Sequence, residues 1–162
     1  MRFLLRTPDD TLRFGTALAK ALVHEPRLRV VLLAGDLGSG KTTMTRGFVA
    51  ALPGGEEAEV SSPSFNICNL YPTTPETAHF DLYRLEGGEP DDALLDLMDE
   101  GQSIVLVEWA ERLPESALPP VRLHLDWQRD AETRLVRATA HGEAANVVLD
   151  MMAREIPDLG QL

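Results

Sequence analysis

The chain has 162 residues, 44% of them apolar, which is enough for one domain with a substantial core and too few for a second full domain. A formal net charge of −11 argues against a face that grips nucleic acid through its phosphates, because such a face needs clustered lysine and arginine. The single cysteine, Cys68, excludes an intrachain disulfide and a zinc site built from cysteines, and we interpret it as a small buried hydrophobe in a reducing compartment.

The first part of the chain alternates helical and strand patterns. Residues 7–25 open with a threonine, a proline and two aspartates and then carry apolar residues at helical spacing, which predicts a helix. The apolar run at 27–34, RLRVVLLA, is typical of a parallel strand covered on both faces. Residues 41–52 predict a second helix, stopped by the Pro-Gly-Gly sequence at 53–55.

The rest of the chain predicts strands, two further helices and a hairpin. Residues 64–72 and 77–85 read as an antiparallel pair of strands, 89–100 as a short helix and 103–109 as another buried strand. Two alternating segments, 121–127 and 133–140, predict a hairpin around QRDAE, and 143–156 an amphipathic helix. These elements together predict an α/β fold of three layers, with a mostly parallel central sheet and antiparallel additions.

The sequence GDLGSGKTT, at residues 35–43, matches the phosphate-binding pattern G-x-x-x-x-G-K-[ST] between a predicted strand and a predicted helix. Gly35, Gly38 and Gly40 keep such a loop open, so that its backbone N–H groups and the following helix terminus can surround an anion. This pattern predicts a P-loop that binds a nucleotide. The absence of an N-K-x-D motif disfavours guanine as the base.

Within that loop, the side chains have separate expected roles. Lys41 is expected to be exposed and to reach the β- and γ-phosphates, while the Thr42 hydroxyl ligates Mg²⁺. Ser39 and Thr43 complete the predicted nucleotide contacts. ATP and Mg²⁺ are therefore the predicted cofactors.

Two carboxylates are candidates for the chemistry. Glu108 ends a buried strand, where a P-loop protein places a metal ligand or a group that positions water. Asp81 follows another predicted strand, close to His79 and Arg84, and either takes part in catalysis or forms an ion pair with Arg84 at a turn. His79 is the weaker candidate. The predicted catalytic residues are thus Lys41, Asp81 and Glu108, with Thr42 and Glu108 on the metal.

Four segments in this order resemble the TsaE family, formerly YjeE: GDLGSGKTTMTRGF, SSPSF, HFDLYRLE and VLVEWAERLP. The resemblance covers roughly residues 7 to 140 and implies a P-loop ATPase of bacterial threonylcarbamoyladenosine tRNA modification. It implies slow hydrolysis alone, stimulation by the TsaB and TsaD proteins, and contact with tRNA only through that complex. We accordingly divide the chain into an ATPase domain at 1–140 and a C-terminal helical tail at 141–162.

The resemblance also assigns residues. It matches Gly38 to Thr43 with the family's phosphate loop, Thr42 and Glu108 with its magnesium ligands, and Asp81 with its acidic residue. It further implies that Thr11 and Arg134 lie near the nucleotide. The sequence differs from the family pattern at Ser64, where threonine is usual, and at Ala110, where proline is usual.

Some alternatives stay open. Trp109 packs near the nucleotide or caps the core. A small-molecule kinase would share the P-loop, although the arginines from 112 to 137 do not gather in one lid, and a nucleotide-sensing adaptor would bind without turnover. With no membrane-spanning run and a short apolar N-terminus, we expect a cytoplasmic protein with no membrane partner.

Overall fold

The computed structural model describes residues 1–63, 66–85 and 89–161. Within them, eight strands form one sheet in the order β3-β4-β5-β2-β6-β7-β1-β8. The strands are β1 (Arg2–Leu5), β2 (Val30–Ala34), β3 (Cys68–Tyr71), β4 (Thr77–Asp81), β5 (Ile104–Glu108), β6 (Arg122–Asp130), β7 (Thr133–His141) and β8 (Gly160–Gln161). The central strands β4, β5, β2 and β6 are parallel, and antiparallel strands extend both sides. The predicted α/β fold is confirmed, with the parallel part confined to the centre.

Helices cover both faces of this sheet. They are α1 (Pro8–His24), α2 (Lys41–Ala50), α3 (Asp92–Glu100) and α4 (Glu143–Glu155). One core cluster joins α1, α2 and α4 to one face, and a second joins α3 to the other face. Successive residues of β2 divide between the clusters, since Val31 and Leu33 belong to the first and Val30 and Leu32 to the second. This alternation produces the three layers.

Two glycines bring α1 and α2 close together. A Cβ atom at Gly47 would overlap the carbonyl oxygen of Leu12, and one at Gly15 would overlap that of Met44. The helix that follows the predicted P-loop is therefore held directly against α1. Helix α1 itself starts at the predicted position, with a capping box in which the Thr7 side chain accepts from the Asp10 N–H.

The C-terminal segment packs against the same domain. Ala145, Val148 and Met152 of α4 are buried in the first core cluster, and α4 contacts α1 and β7. Beyond it, Leu4 donates its N–H to the Leu159 carbonyl, and β8 pairs with β1. The boundary at residue 140 stays a prediction, but the tail helix lies on this chain's own core.

Several predicted boundaries differ from the structure. The strand predicted at 77–85 ends at Asp81, because the chain turns at residues 83–84. The hairpin turn is shorter than QRDAE: β6 continues to Asp130, and the turn itself is Ala131 and Glu132. Strands β1 and β8 were not predicted. The start of the strand predicted at 64–72, with Ser64, lies outside the described residues.

Cys68 is less buried than the sequence interpretation held. Its side chain lies at the start of edge strand β3, partly exposed, and packs against the second core cluster. Burial still raises the pKa of its thiol to about 11, which makes it a poor nucleophile near neutral pH.

Among the described residues, no helix combines the length and the apolar character that crossing a bilayer requires.

Candidate active site

The predicted P-loop lies between the end of β2, at Ala34, and the start of α2, at Lys41. Gly35 and Gly40 have φ angles of 134° and 112°, which side chains other than glycine rarely adopt. At Gly35 a Cβ would also lie 2.8 Å from the carbonyl oxygen of Trp127. No side chain caps α2 within the described part of the chain, in contrast to α1. The backbone N–H groups of its first turn therefore have no side-chain acceptor and can donate to an anion at the loop.

The Lys41 side chain folds back over this loop. Its ammonium group donates to the carbonyl oxygens of Gly35 at 2.6 Å and Asp36 at 3.0 Å, and lies 3.3 Å from the Ser39 hydroxyl. The expectation of an exposed lysine was wrong, because Lys41 is only 7% exposed. These oxygens hold the cation at the loop, from which it can exchange partners for a phosphate.

Two carboxylates end neighbouring strands beside the loop. Asp81 and Glu108 are register partners in the parallel pair β4–β5, and their exposures are 6% and 4%. Burial raises the pKa of Asp81 above its usual range, and the Glu108 charge acts in the same direction. A hydrogen bond from the Tyr83 N–H, 2.9 Å long, opposes that shift. The sheet thus holds two acidic groups side by side at its carboxyl edge.

His79 lies in contact with one of these carboxylates. Its Nε2 atom is 3.0 Å from Oε1 of Glu108, and the imidazole is fully buried. Nδ1 has no hydrogen-bond partner within the described residues. With the Glu108 carboxylate ionised, Nε2 must carry the proton and donate to it.

The phosphate-binding loop, Asp81 and Glu108 line one cleft of about 530 Å³, while His79 lies behind Glu108 and is not part of its lining. Its walls combine the loop and the start of α2 with both carboxylates and Ser62. Trp109, at a φ of 59°, lines it as well and packs on Tyr83 with ring centroids 5.1 Å apart. Trp109 also packs against the second core cluster, which confirms the placement at the core, while its proximity to a nucleotide stays a prediction. Ala110 begins a single turn of 3₁₀ helix directly after it.

Thr11 and Arg134 lie on the other side of the P-loop. With Gly38, Gly40 and Thr43 they line a second cavity, of about 180 Å³. Thr11 is buried at the start of α1, and Arg134 projects from β7. The structure therefore brings both residues beside the loop, although they are far apart in sequence.

Every residue assigned to the site lies in one of these two cavities or in the loop itself. Ser39, Thr42 and Thr43 line the main cleft together with Lys41. Sequence reasoning undervalued His79, and its signal was the alternation in TAHFD, which places a buried polar residue in line with Asp81. Trp127, whose buried Nε1 lacks a partner in the described chain and which packs under Gly35, was missed because strand β6 carries no motif.

The donor set suits magnesium bound together with phosphates. The Thr42 hydroxyl and the Glu108 and Asp81 carboxylates line the same cleft and offer the oxygen ligands that Mg²⁺ prefers. No group of three His, Cys, Asp or Glu side chains able to hold a metal alone occurs in residues 1–63, 66–85 and 89–161. Because Mg²⁺ prefers a full set of oxygen ligands, phosphate oxygens would complete a site of this kind.

Comparisons with known proteins show what the chain as a whole is similar to. The model of the family described as threonylcarbamoyl adenosine biosynthesis protein TsaE matches residues 5–138. The chain is similar to the tRNA threonylcarbamoyladenosine biosynthesis protein TsaE of Haemophilus influenzae, 35% identical over 76% of this chain and 82% of that protein. The Bacillus subtilis protein of the same name is 39% identical over 77% and 78%. The crystal structure of Bacillus subtilis YdiB superposes with a TM-score of 0.73 at 28% identity, covering 95% of this chain and 94% of that one.

Proposed function

The chain belongs to the TsaE family of tRNA threonylcarbamoyladenosine biosynthesis, and from that premise we propose that it is a magnesium-dependent ATPase. We propose that it hydrolyses ATP slowly alone and faster with the TsaB and TsaD proteins, whose modification cycle the hydrolysis drives. The observation that carries the proposal is the single cleft in which an uncapped P-loop helix faces two buried carboxylates.

The loop residues would bind the phosphates. The first amides of α2, with Gly38, Ser39, Gly40 and Thr43, surround the anion, and Lys41 exchanges the loop carbonyls for β- and γ-phosphate oxygens. That exchange places a cation where negative charge is concentrated. Because the site is largely buried, the interaction is stronger than it would be in water.

The carboxylates would divide the remaining work. Thr42 and Glu108 would hold Mg²⁺, which when bound neutralises charge on the phosphate oxygens. Asp81, with its raised pKa, accepts a hydrogen bond from the attacking water and orients that water toward the γ-phosphorus. Thr11 and Arg134, in the neighbouring cavity, would contact the remainder of the nucleotide.

Partner proteins would supply the contact with tRNA. The chain carries a net charge of −11, so its own surface repels a polyanion, and coupling to tRNA passes through TsaB and TsaD. A cytoplasmic location and the absence of a membrane partner follow from this role. Tight tRNA binding by the isolated chain at moderate salt would contradict this part of the proposal.

The test is a magnesium titration of ATPase activity, alone and with TsaB and TsaD, for wild type and two variants. Glu108→Gln should strongly depress turnover and raise the magnesium concentration needed for half-maximal activity, because it removes a ligand charge. Asp81→Asn should depress turnover with a smaller change in that concentration. An equal shift for both variants would make both carboxylates metal ligands.

Two outcomes would replace the proposal altogether. Transfer of the γ-phosphate to a small acceptor, in place of release as inorganic phosphate, would identify a kinase. Nucleotide binding with no turnover in the presence of both partners would identify a nucleotide-sensing adaptor.

A further inference from the structure

Strand β4 has two chemically different faces. Its sequence, TAHFD, alternates polar and apolar residues, and all five are buried. The two apolar residues belong to the core cluster beneath α3, so Thr77, His79 and Asp81 point to the opposite face. Thr77 shares a 2.8 Å hydrogen bond with Thr73, and Asp81 accepts from the Tyr83 N–H. The polar row leads to the cleft, and His79 is its middle member.

We propose that His79 is a positioning residue that fixes the Glu108 carboxylate by donating its Nε2–H to Oε1, so that Oε2 is presented to the metal. This inference rests on the proposed function, in which Glu108 holds Mg²⁺. His79 is fully buried and does not line the cleft, so it acts through Glu108. The hydrogen bond is 3.0 Å long and joins a fully buried ring to a carboxylate that is 4% exposed.

The burial of His79 is hard to explain by packing. A fully buried imidazole loses its hydration, and Nδ1 has no partner among the described residues to compensate for that loss. An apolar side chain of similar size would fill the position at lower cost. Among the described residues, the contact with Glu108 is the one hydrogen bond that the imidazole ring makes. The advantage of a histidine at this position is therefore its hydrogen bond to Glu108.

The position of the contact suits this role. His79 and Glu108 lie on adjacent parallel strands, and the His79 pair with Leu106 comes two residue pairs before the pair of Asp81 and Glu108. Both side chains are therefore anchored by the sheet, and the hydrogen bond removes a rotational freedom that a lone glutamate would keep. Mutation of a residue that hydrogen-bonds to a metal ligand commonly lowers the metal affinity by about 10- to 100-fold.

The experiment compares three variants with wild type. His79→Gln keeps an amide N–H near the position of Nε2, whereas the shorter His79→Asn cannot reach Glu108. Thr77→Val is the matched control, because it removes a buried hydrogen bond from the same face of the same strand. The measurements are Mn²⁺ affinity in saturating ADP by electron paramagnetic resonance, ADP affinity in EDTA by calorimetry, and the melting temperature.

We expect His79→Asn to weaken Mn²⁺ binding by about tenfold or more. His79→Gln should stay within about threefold of wild type, and Thr77→Val should match wild type even where its melting temperature falls. ADP affinity in EDTA should be the same in all four proteins. Unchanged Mn²⁺ affinity in His79→Asn, no rescue by glutamine, or an equal loss in Thr77→Val would each overturn the inference.

A wild-type measurement covers the case in which the asparagine variant does not fold. In protein labelled with ¹⁵N-histidine, the Nε2 resonance of His79 should shift when Mg²⁺ is added to the ADP complex, and an unchanged resonance overturns the inference. Failure of the proposed function gives a different result, because wild type itself would then bind no ADP or no Mn²⁺.

Discussion

Two regions of the sheet hold charged groups in opposite environments. We call the region around β4, β5 and the phosphate-binding loop the parallel side, and the region around β7, β1 and β8 the antiparallel side. On the parallel side, around β4 and β5, Asp81 and Glu108 are buried next to each other, and burial raises the pKa of Asp81. On the antiparallel side, exposed groups attach the C-terminal segment to α1: Arg13 pairs with Asp158 at 2.9 Å and lowers the pKa of that carboxylate. On the parallel side the carboxylates are buried, which destabilises the fold but suits the chemistry proposed for them. The antiparallel side places charges where they stabilise the fold modestly.

The largest expected effect lies on the parallel side. Lys41→Ala should weaken ATP binding on the order of 100-fold, because it removes a charge-assisted contact to phosphate in a buried site. The free energy of unfolding should change by about 1 kcal/mol or less, since the lost hydrogen bonds are offset by relief of a buried cation. Calorimetry with ATP and denaturant unfolding measure the two quantities.

The chain supplies a control for that experiment in its other lysine. Lys20 is exposed and pairs with Glu155 at 2.6 Å, on the side of α1 that faces the C-terminal segment. Lys20→Ala removes the same charge from the protein and should leave ATP affinity unchanged. Equal ATP affinity in a folded Lys41→Ala variant would remove the basis for the P-loop assignment.

The next effect concerns α2, the helix that follows the phosphate-binding loop and packs closely against α1. Gly47→Ala should lower the free energy of unfolding by about 2 kcal/mol, because the new Cβ overlaps the Leu12 carbonyl and pushes α1 from α2. Nucleotide affinity should also fall, since α2 carries the loop and α1 carries Thr11. Arg46→Ala, at an exposed position on the same helix, is the control. A Gly47→Ala protein as stable as wild type would show that the two helices can separate freely.

The parallel side was the more predictable from sequence. A P-loop is a contiguous motif, and its strand, loop and helix appeared at the expected places, as did Glu108 at the end of β5. The glycines and the lysine are tied to local backbone geometry, which a short segment determines. The proximity of Asp81 and Glu108 followed only from the parallel register of two strands that are separated in sequence.

The antiparallel side was less predictable because its partners are distant. Strand β1 has only four residues. It is a strand because it pairs with β7 and β8, which lie more than 120 residues away in sequence. The same distance concealed the cavity shared by Thr11 and Arg134, which only the resemblance to a family had suggested. His79 was undervalued for another reason: the contact that gives it meaning is with Glu108, on a different strand.

The third prediction sharpens the contrast in charge. Because the pKa of Asp81 is higher in the folded protein than in the unfolded chain, folding favours its protonated form. Wild type therefore loses stability as the pH rises through the window between the ordinary aspartate value and the raised one. Asp81→Asn lacks this loss and keeps an oxygen for the Tyr83 N–H. It should gain stability relative to wild type at pH 7, and the gain should shrink toward pH 3. Denaturant unfolding without nucleotide or metal measures it.

The smallest expected effect is a loss of stability at pH 7 in Asp158→Asn, opposite in sign to the gain expected for Asp81→Asn. The pKa of Asp158 is lowered by the hydrogen bond from Arg13, so its contribution to stability is present above the ordinary aspartate pKa and is lost as the pH falls through the lowered value. Asp158→Asn should therefore be slightly less stable than wild type at pH 7 and equal to it in acid. Asp150→Asn, which changes an exposed aspartate on α4, controls for net charge. Because Arg13 and Asp158 are both accessible to solvent, added salt should shrink the Asp158 difference and leave that of buried Asp81 largely intact. If both aspartates responded alike to pH and to salt, the two sides of the sheet would not differ in how they use charge.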